Sequence, residues 1–167
     1  FDQNINRKSE ISDKNLQFFK NTNIPMPSVI EISNSGMCNR KCSFCPRSDP
    51  DYKDINEFID EGLHRKIYDE LETYNYSGSI IYSGYVEPLL DKRIYSHLKY
   101  IKQKIPNANI EIITNGDPLN DKRILKLFES GLSVLLISVY DGPKEAEVFH
   151  KTMQRLNIDE KKYVIRN

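Results

Sequence analysis

The sequence predicts an α/β fold built on one parallel sheet. Two observations predict it. Five short apolar segments rich in Ile and Val alternate with four segments whose apolar residues recur every three or four positions, as expected for strands joined by crossover helices. The chemically distinctive residues, cysteines, glycines and short polar side chains, fall directly after the strand segments. In α/β folds ligands gather at those carboxyl ends.

Residues 1–27 are polar and end in Ile24-Pro25-Met26-Pro27, so they read as an N-terminal extension to a domain covering 28–167. The first strand is Val29 to Ser33, followed by the polar loop Asn34-Ser35-Gly36. Leu63, Ile67, Leu71 and Tyr74 form a helical stripe. Ser79 to Tyr82 is the second strand. Asp91 to Ile105 is a helix with Ile94, Leu98, Ile101 and Ile105 on one face, Asp91 as its N-cap and Pro106 as its stop. Asn109 to Ile113 is the third strand, and Leu119 to Ser130 is a helix closed by Gly131. Val134 to Val139, the helix Pro143 to Leu156 and the strand Tyr163 to Arg166 complete the series. Right-handed βα crossovers follow. Both an open doubly wound sheet and a barrel fit this pattern.

A chain of 167 residues can bury a hydrophobic core. Lys plus Arg equals Asp plus Glu, 24 each, which gives no electrostatic case for nucleic acid or an anionic membrane as partner. The most apolar run, Leu132 to Tyr140, contains Ser133 and Ser138 and suits a buried strand better than a membrane span. Phe1-Asp2-Gln3-Asn4 lacks an apolar signal region and an initiator Met, so the chain is expected to be part of a longer one. Three cysteines within eight residues cannot form a disulfide framework and point to a reducing cytoplasm.

Those cysteines lie in Gly36-Met37-Cys38-Asn39-Arg40-Lys41-Cys42-Ser43-Phe44-Cys45-Pro46. Thiolates at spacings of four and three select iron–sulfur clusters, zinc or copper(I) over hard cations. A closed Cys₄ site needs a fourth ligand, and the chain has no fourth cysteine. His64, His97 and His150 are expected on exposed helix faces, away from the loop. Three ligands and one open iron is therefore the favoured count, with zinc as the alternative metal. The competing reading is three cysteines in a turn without metal. Beside Arg40, Lys41 and Arg47 in an exposed basic loop such thiols would oxidise readily.

The segment Cys38 to Cys45 resembles the CxxxCxxC loop of the radical S-adenosylmethionine (radical SAM) superfamily, including an aromatic residue, Phe44, before the last cysteine. Tyr82-Ser83-Gly84-Tyr85-Val86-Glu87-Pro88 resembles that family's second-strand motif ending in Glu-Pro. Ile113-Thr114-Asn115-Gly116 and Ile137-Ser138-Val139-Tyr140-Asp141-Gly142 resemble the motifs after its third and fourth strands. Together these cover about residues 28–142. The resemblance implies a partial (β/α)6-type barrel, here ending after about the fifth strand. It implies that Cys38, Cys42 and Cys45 ligate a [4Fe–4S] cluster whose fourth iron takes the amine and carboxylate of S-adenosyl-L-methionine. It places Phe44 by the adenine, Gly84, Tyr85, Val86 and Glu87 at the methionyl amino group, Ser138 at the ribose, and Asn115 in the same pocket.

The implied activity is reductive cleavage of S-adenosylmethionine to a 5′-deoxyadenosyl radical that abstracts hydrogen from a substrate, with flavodoxin or ferredoxin as electron donor. One position departs from the family pattern: Val86 stands where glycine is common, so it must be extended and narrows that wall. The motifs also resemble members with a cysteine-rich auxiliary-cluster domain (the SPASM type), which would favour a peptide or sugar substrate. Two alternatives stay open at this level, an activating enzyme that installs a glycyl radical on a partner protein and a non-catalytic zinc-binding interaction module.

Overall fold

A computed structural model describes residues 25–166 together with residues 9, 12, 13, 16, 17, 19 and 20, which are helical. Most of the expected N-terminal extension lies outside the described residues.

Five strands form one sheet: β1 (Val29–Ile32), β2 (Ser79–Tyr82), β3 (Asn109–Thr114), β4 (Val134–Ser138) and β5 (Tyr163–Arg166). Their spatial order is their order in the chain, and every neighbouring pair is parallel. Sequential order settles the choice left open by the periodicity. A doubly wound sheet reverses direction at a switch point, whereas here each strand adds to the same side, as around a barrel. The helices α1 (Glu61–Thr73), α2 (Ile94–Lys104), α3 (Asp121–Glu129) and α4 (Pro143–Arg155) fill the connections. The expected elements are all present, with ends shifted by a few residues at most. The largest shift is at α2, because Pro88–Leu90 folds as a single 3₁₀ turn. Asp91 follows that turn and accepts the Arg93 amide at 2.9 Å before the helix proper begins.

The core lies between the helices and one face of the sheet. Ile80, Tyr82, Ile110, Ile112, Leu135 and Ile137 meet Tyr68, Leu71, Leu98, Ile101, Leu127 and Met153. Leu98 and Ile101 are fully buried, each worth about 1.5–3 kcal/mol by area. The helix ends are set by local chemistry. Asp60 and Asn120 accept the amides of Leu63 and Arg123 as N-caps. Three C-termini close through left-handed residues, Asn75 (φ 50°), Gly131 (φ 105°) and Asn157 (φ 53°). In each, the following amide reaches back to the carbonyl five positions earlier, as in Tyr76 to Leu71, Leu132 to Leu127 and Ile158 to Met153.

The histidine expectation is corrected. His150 is exposed, but His64 and His97 are buried at 0% and 1% exposure. Their rings stack on each other with centroids 3.8 Å apart. His64 Nε2 lies 2.6 Å from the Tyr82 hydroxyl, and His97 Nε2 lies 3.1 Å from Glu61 Oε2. The α1 stripe is rotated by one residue from expectation: His64, Tyr68 and Leu71 face inward, while Leu63 and Tyr74 are exposed. Neither histidine has a cysteine among its hydrogen-bond or ring partners. No helix among the described residues is long and apolar enough to cross a membrane.

Candidate functional site

The loop after β1 is braced from two sides. The Asn34 carbonyl accepts the Ile59 amide, and its Nδ2 donates to Pro88 O at 3.1 Å. The Gly36 amide donates to Glu57 O at 2.9 Å, an approach so close that a Cβ at Gly36 would collide with Ile55. Beyond this brace the chain turns tightly. The Cys45 amide donates to Cys42 O, and the Ser48 amide to Cys45 O, both at 2.9 Å.

The three thiols are half-buried and unpaired. Cys38 Sγ accepts the Arg40 amide at 3.4 Å and faces Asn115 Nδ2 at 3.9 Å, the kind of N–H contact that tunes a ligating sulfur. Burial pushes the Cys42 thiol above its ordinary pKa, opposed by the charge of Arg40. Among the described residues no three His, Cys, Asp or Glu side chains are placed to hold a single metal ion. A structural zinc needs four ligands on one ion, whereas a cubane spreads its thiolates over separate irons.

The loop after β2 meets the cysteine loop directly. Gly84 has φ 111°, and a Cβ there would run into Ser33 Oγ. The Glu87 amide donates to Met37 O at 2.8 Å. Glu87 itself is only 1% exposed. Its carboxylate accepts from the Thr114 hydroxyl and the Asn115 amide at 2.8 Å each and from the Leu89 amide at 3.1 Å. Burial raises its pKa against those three donors. Glu87 thus ties the end of β2 to the end of β3. Val86 is half-buried with negative φ, as its β-branched side chain requires. Ser138, at the end of β4, is 8% exposed.

The expected exposed basic loop is also corrected. Lys41 is exposed, but Arg47 is 3% exposed. Its Nη1 donates to Gly36 O at 3.0 Å and Tyr85 O at 3.1 Å, while Nη2 pairs with Asp54. Arg40 is anchored on Asp117 and Asp141. The partners of Arg40 come from distant loops, and Arg47 joins Gly36 and Asp54 of its own connection to Tyr85 of the next, so neither arrangement was legible locally.

All ten residues expected at the site line one cleft: Cys38, Cys42, Cys45, Phe44, Gly84, Tyr85, Val86, Glu87, Asn115 and Ser138. Tyr140, which sequence reasoning gave no role, completes the wall, its ring centroid 5.2 Å from that of Phe44.

Comparison with known proteins bears on what the cleft is for. The profile of the Radical SAM superfamily matches residues 32–167. The chain belongs to the radical SAM superfamily. It is 33% identical over 117 residues to the S-adenosyl-L-methionine-dependent 2-deoxy-scyllo-inosamine dehydrogenase of Niallia circulans, a match covering 70% of this chain and 46% of that protein. The crystal structure of BtrN in complex with AdoMet and 2-DOIA superposes with a TM-score of 0.73 at 28% identity, over 84% of this chain and 56% of that one. The structure of anSMEcpe with bound AdoMet gives a TM-score of 0.60 at 20% identity, over 82% and 41%, and speaks for the fold alone. The chain therefore spans about half the length of the relatives it matches.

Radical SAM proteins use a [4Fe–4S] cluster and S-adenosylmethionine, and the residues present fit both. The donor set is three thiols from one loop with no fourth cysteine. Backbone and side-chain N–H groups face Cys38 Sγ, and the glycine at 84 keeps the adjoining wall free of a side chain. Membership in this family of enzymes also displaces the zinc-binding interaction module.

Proposed function

We propose that residues 28–167 form the cofactor-binding core of a radical SAM enzyme that abstracts hydrogen from a small polyhydroxylated ring, with residues 1–27 as an extension to it. One observation carries the reading: three thiols of one loop open onto the same cleft as the ends of β2, β3 and β4. A bound, reduced cluster would supply the one electron that breaks the sulfonium C–S bond of S-adenosylmethionine, giving methionine and a 5′-deoxyadenosyl radical for hydrogen abstraction from the substrate.

The chain's own residues bind and orient. Cys38, Cys42 and Cys45 would hold three irons. The Tyr85 carbonyl is taken by Arg47, which leaves the carbonyls of Gly84 and Val86 for the methionyl ammonium. The Glu87 carboxylate is spent on Leu89, Thr114 and Asn115, so it holds the rim rather than the ligand. Phe44 and Tyr140 would flank the adenine, Ser138 would meet the ribose, and Asn115 supports Cys38.

Of the peptide and sugar classes, the inosamine named for the curated relative favours the ring, and a small substrate also speaks against a protein-activating role. A flavodoxin- or ferredoxin-type donor and a cytoplasmic setting complete the proposal, with no nucleic-acid partner.

Anaerobic reconstitution tests it. The chain should take up about four irons and four sulfides with broad brown absorption, and dithionite with S-adenosylmethionine should release 5′-deoxyadenosine. Cys42→Ala should abolish that release. A colourless chain holding one zinc, or cleavage undiminished in the variant, would overturn the assignment.

A further inference from the structure

One guanidinium joins three rim loops, and the cysteine spacing does not call for it. Arg40 lies between Cys38 and Cys42. Its Nε donates to Asp117 Oδ2 at 2.7 Å, beyond β3. Its Nη2 pairs with Asp117 Oδ1 and donates to Asp141 Oδ2 at 2.9 Å, beyond β4. Glu145, in the first turn of α4, stands 3.8 Å from the same nitrogen. The Arg40 side chain is 18% exposed, so its pairs with Asp117 and Glu145 are less screened than ordinary surface ones, whereas Asp141 is open to solvent.

The β3 loop is drawn into the same centre. Asn39 Nδ2 donates to Asp117 Oδ2 at 2.6 Å, Asn115 Nδ2 to Asn39 Oδ1 at 2.8 Å, and the Asp117 amide to Asn115 Oδ1 at 3.0 Å.

We propose that Arg40 is a positioning residue: it locks the cysteine loop onto the β3 and β4 loops and thereby sets the Phe44–Tyr140 wall of the cofactor cleft. Three carboxylates converge on this one cation. Without it, their mutual repulsion would push apart the loops that carry Asn115 and Tyr140, and the loop that carries Cys38 would lose its charged tie to both. The two aromatic rings depend on this brace. Phe44 is 69% exposed and Tyr140 45%, so the domain core does little to fix them. Phe44 rides on the cysteine loop and Tyr140 precedes Asp141. The guanidinium carbon also sits 5.7 Å from the centroid of the Tyr140 ring.

The inference rests on the proposed radical SAM reading for the identity of the ligand, but the bracing itself does not need the cluster. The test therefore has two arms, each applied to the full chain with Arg40→Met and Arg40→Lys. In the cluster-free chain, amide exchange at residues 38–45 and 139–142 should be at least tenfold faster in Arg40→Met, with the sheet unchanged. Arg40→Lys, which keeps the charge but loses the fork, should fall between. In the reconstituted chain, Arg40→Met should keep its iron but bind S-adenosylmethionine roughly tenfold or more weakly, since charge-assisted bonds are lost. The shift that S-adenosylmethionine produces in the electron paramagnetic resonance spectrum of the reduced cluster should shrink in parallel.

Unchanged local exchange, exchange accelerated throughout the domain, or unaltered affinity at full iron content would each overturn the assignment. If the wild-type chain takes up no cluster, the functional reading fails while the exchange arm still decides the brace.

Discussion

Lowering the pH from 7 to 5 should cost this domain stability through one buried ring, His64. The imidazole is enclosed by Tyr68 of α1, Tyr82 of β2 and His97 of α2, with Glu61, Arg65 and Arg93 at the outer edge of the cluster. Burial, reinforced by His97, pushes its pKa down to about 4 from an ordinary 6.5. A base with a depressed folded pKa is stabilising while neutral. Between those two values the unfolded chain takes up a proton that the folded chain refuses, so stability falls as pH falls.

At about 1.4 kcal/mol per pH unit, the loss by pH 5 is at most about 2 kcal/mol, or about 1 kcal/mol after screening at the exposed Glu61 edge. Glu61, held below its usual range by His97, loses its contribution in the same direction, but at lower pH. Urea unfolding of the cluster-free chain separates this loss from the acid lability of a cluster. The midpoint should drop by roughly 0.5 M between pH 7 and 5. His64→Gln keeps a partner for Tyr82 but takes up no proton, and should lose most of that drop. An equal fall in wild type and variant would refute the reasoning.

Other outcomes follow from single contacts. Gly131→Ala forces a Cβ into a left-handed residue and to 3.1 Å from Lys102 Cβ; a destabilisation of about 1–2 kcal/mol should appear as a lower melting temperature. Arg47→Met strips the donors from the Gly36 and Tyr85 carbonyls. It should cost about 2–4 kcal/mol in urea unfolding and lower the iron retained, whereas the exposed Lys41→Met should change neither. Glu87→Ala orphans the buried amides of Leu89 and Asn115 and should cost about 2–4 kcal/mol. Faster exchange of the Asn115 amide would mark the rim as the place of failure.

Much of the fold was legible because strand and helix periods differ. The β2 and β4 segments are short, mostly apolar runs bounded by polar turns, so their ends emerged within one residue. Strand order was not legible, since both parallel architectures share one pattern and only pairing distinguishes them. The α1 face was misread because His64 carries no hydrophobic signal; its burial depends on Tyr82 and His97, which come from other elements. The cysteines and the three later motifs were legible because each follows its own strand, and the sheet carries strand ends to one rim. Arg40 and Arg47 were not, because a cation's role lies in which distant carboxylate or carbonyl it reaches. Glu87 was recognised as part of a motif, yet its buried, three-donor environment appears only in three dimensions.

The Asn75, Gly131 and Asn157 turns have a practical consequence. Each leads from a helix into the amino end of a strand, so all three belong to the end of the sheet opposite the cleft. Chemistry and chain reversal are thus divided between two ends of one sheet. A dye, spin label or surface tether attached beside one of these turns, with the left-handed residue itself left intact, would sit a full strand length from the thiols. That end offers a handle for watching or immobilising the protein under anaerobic conditions without crowding the ligand's entrance.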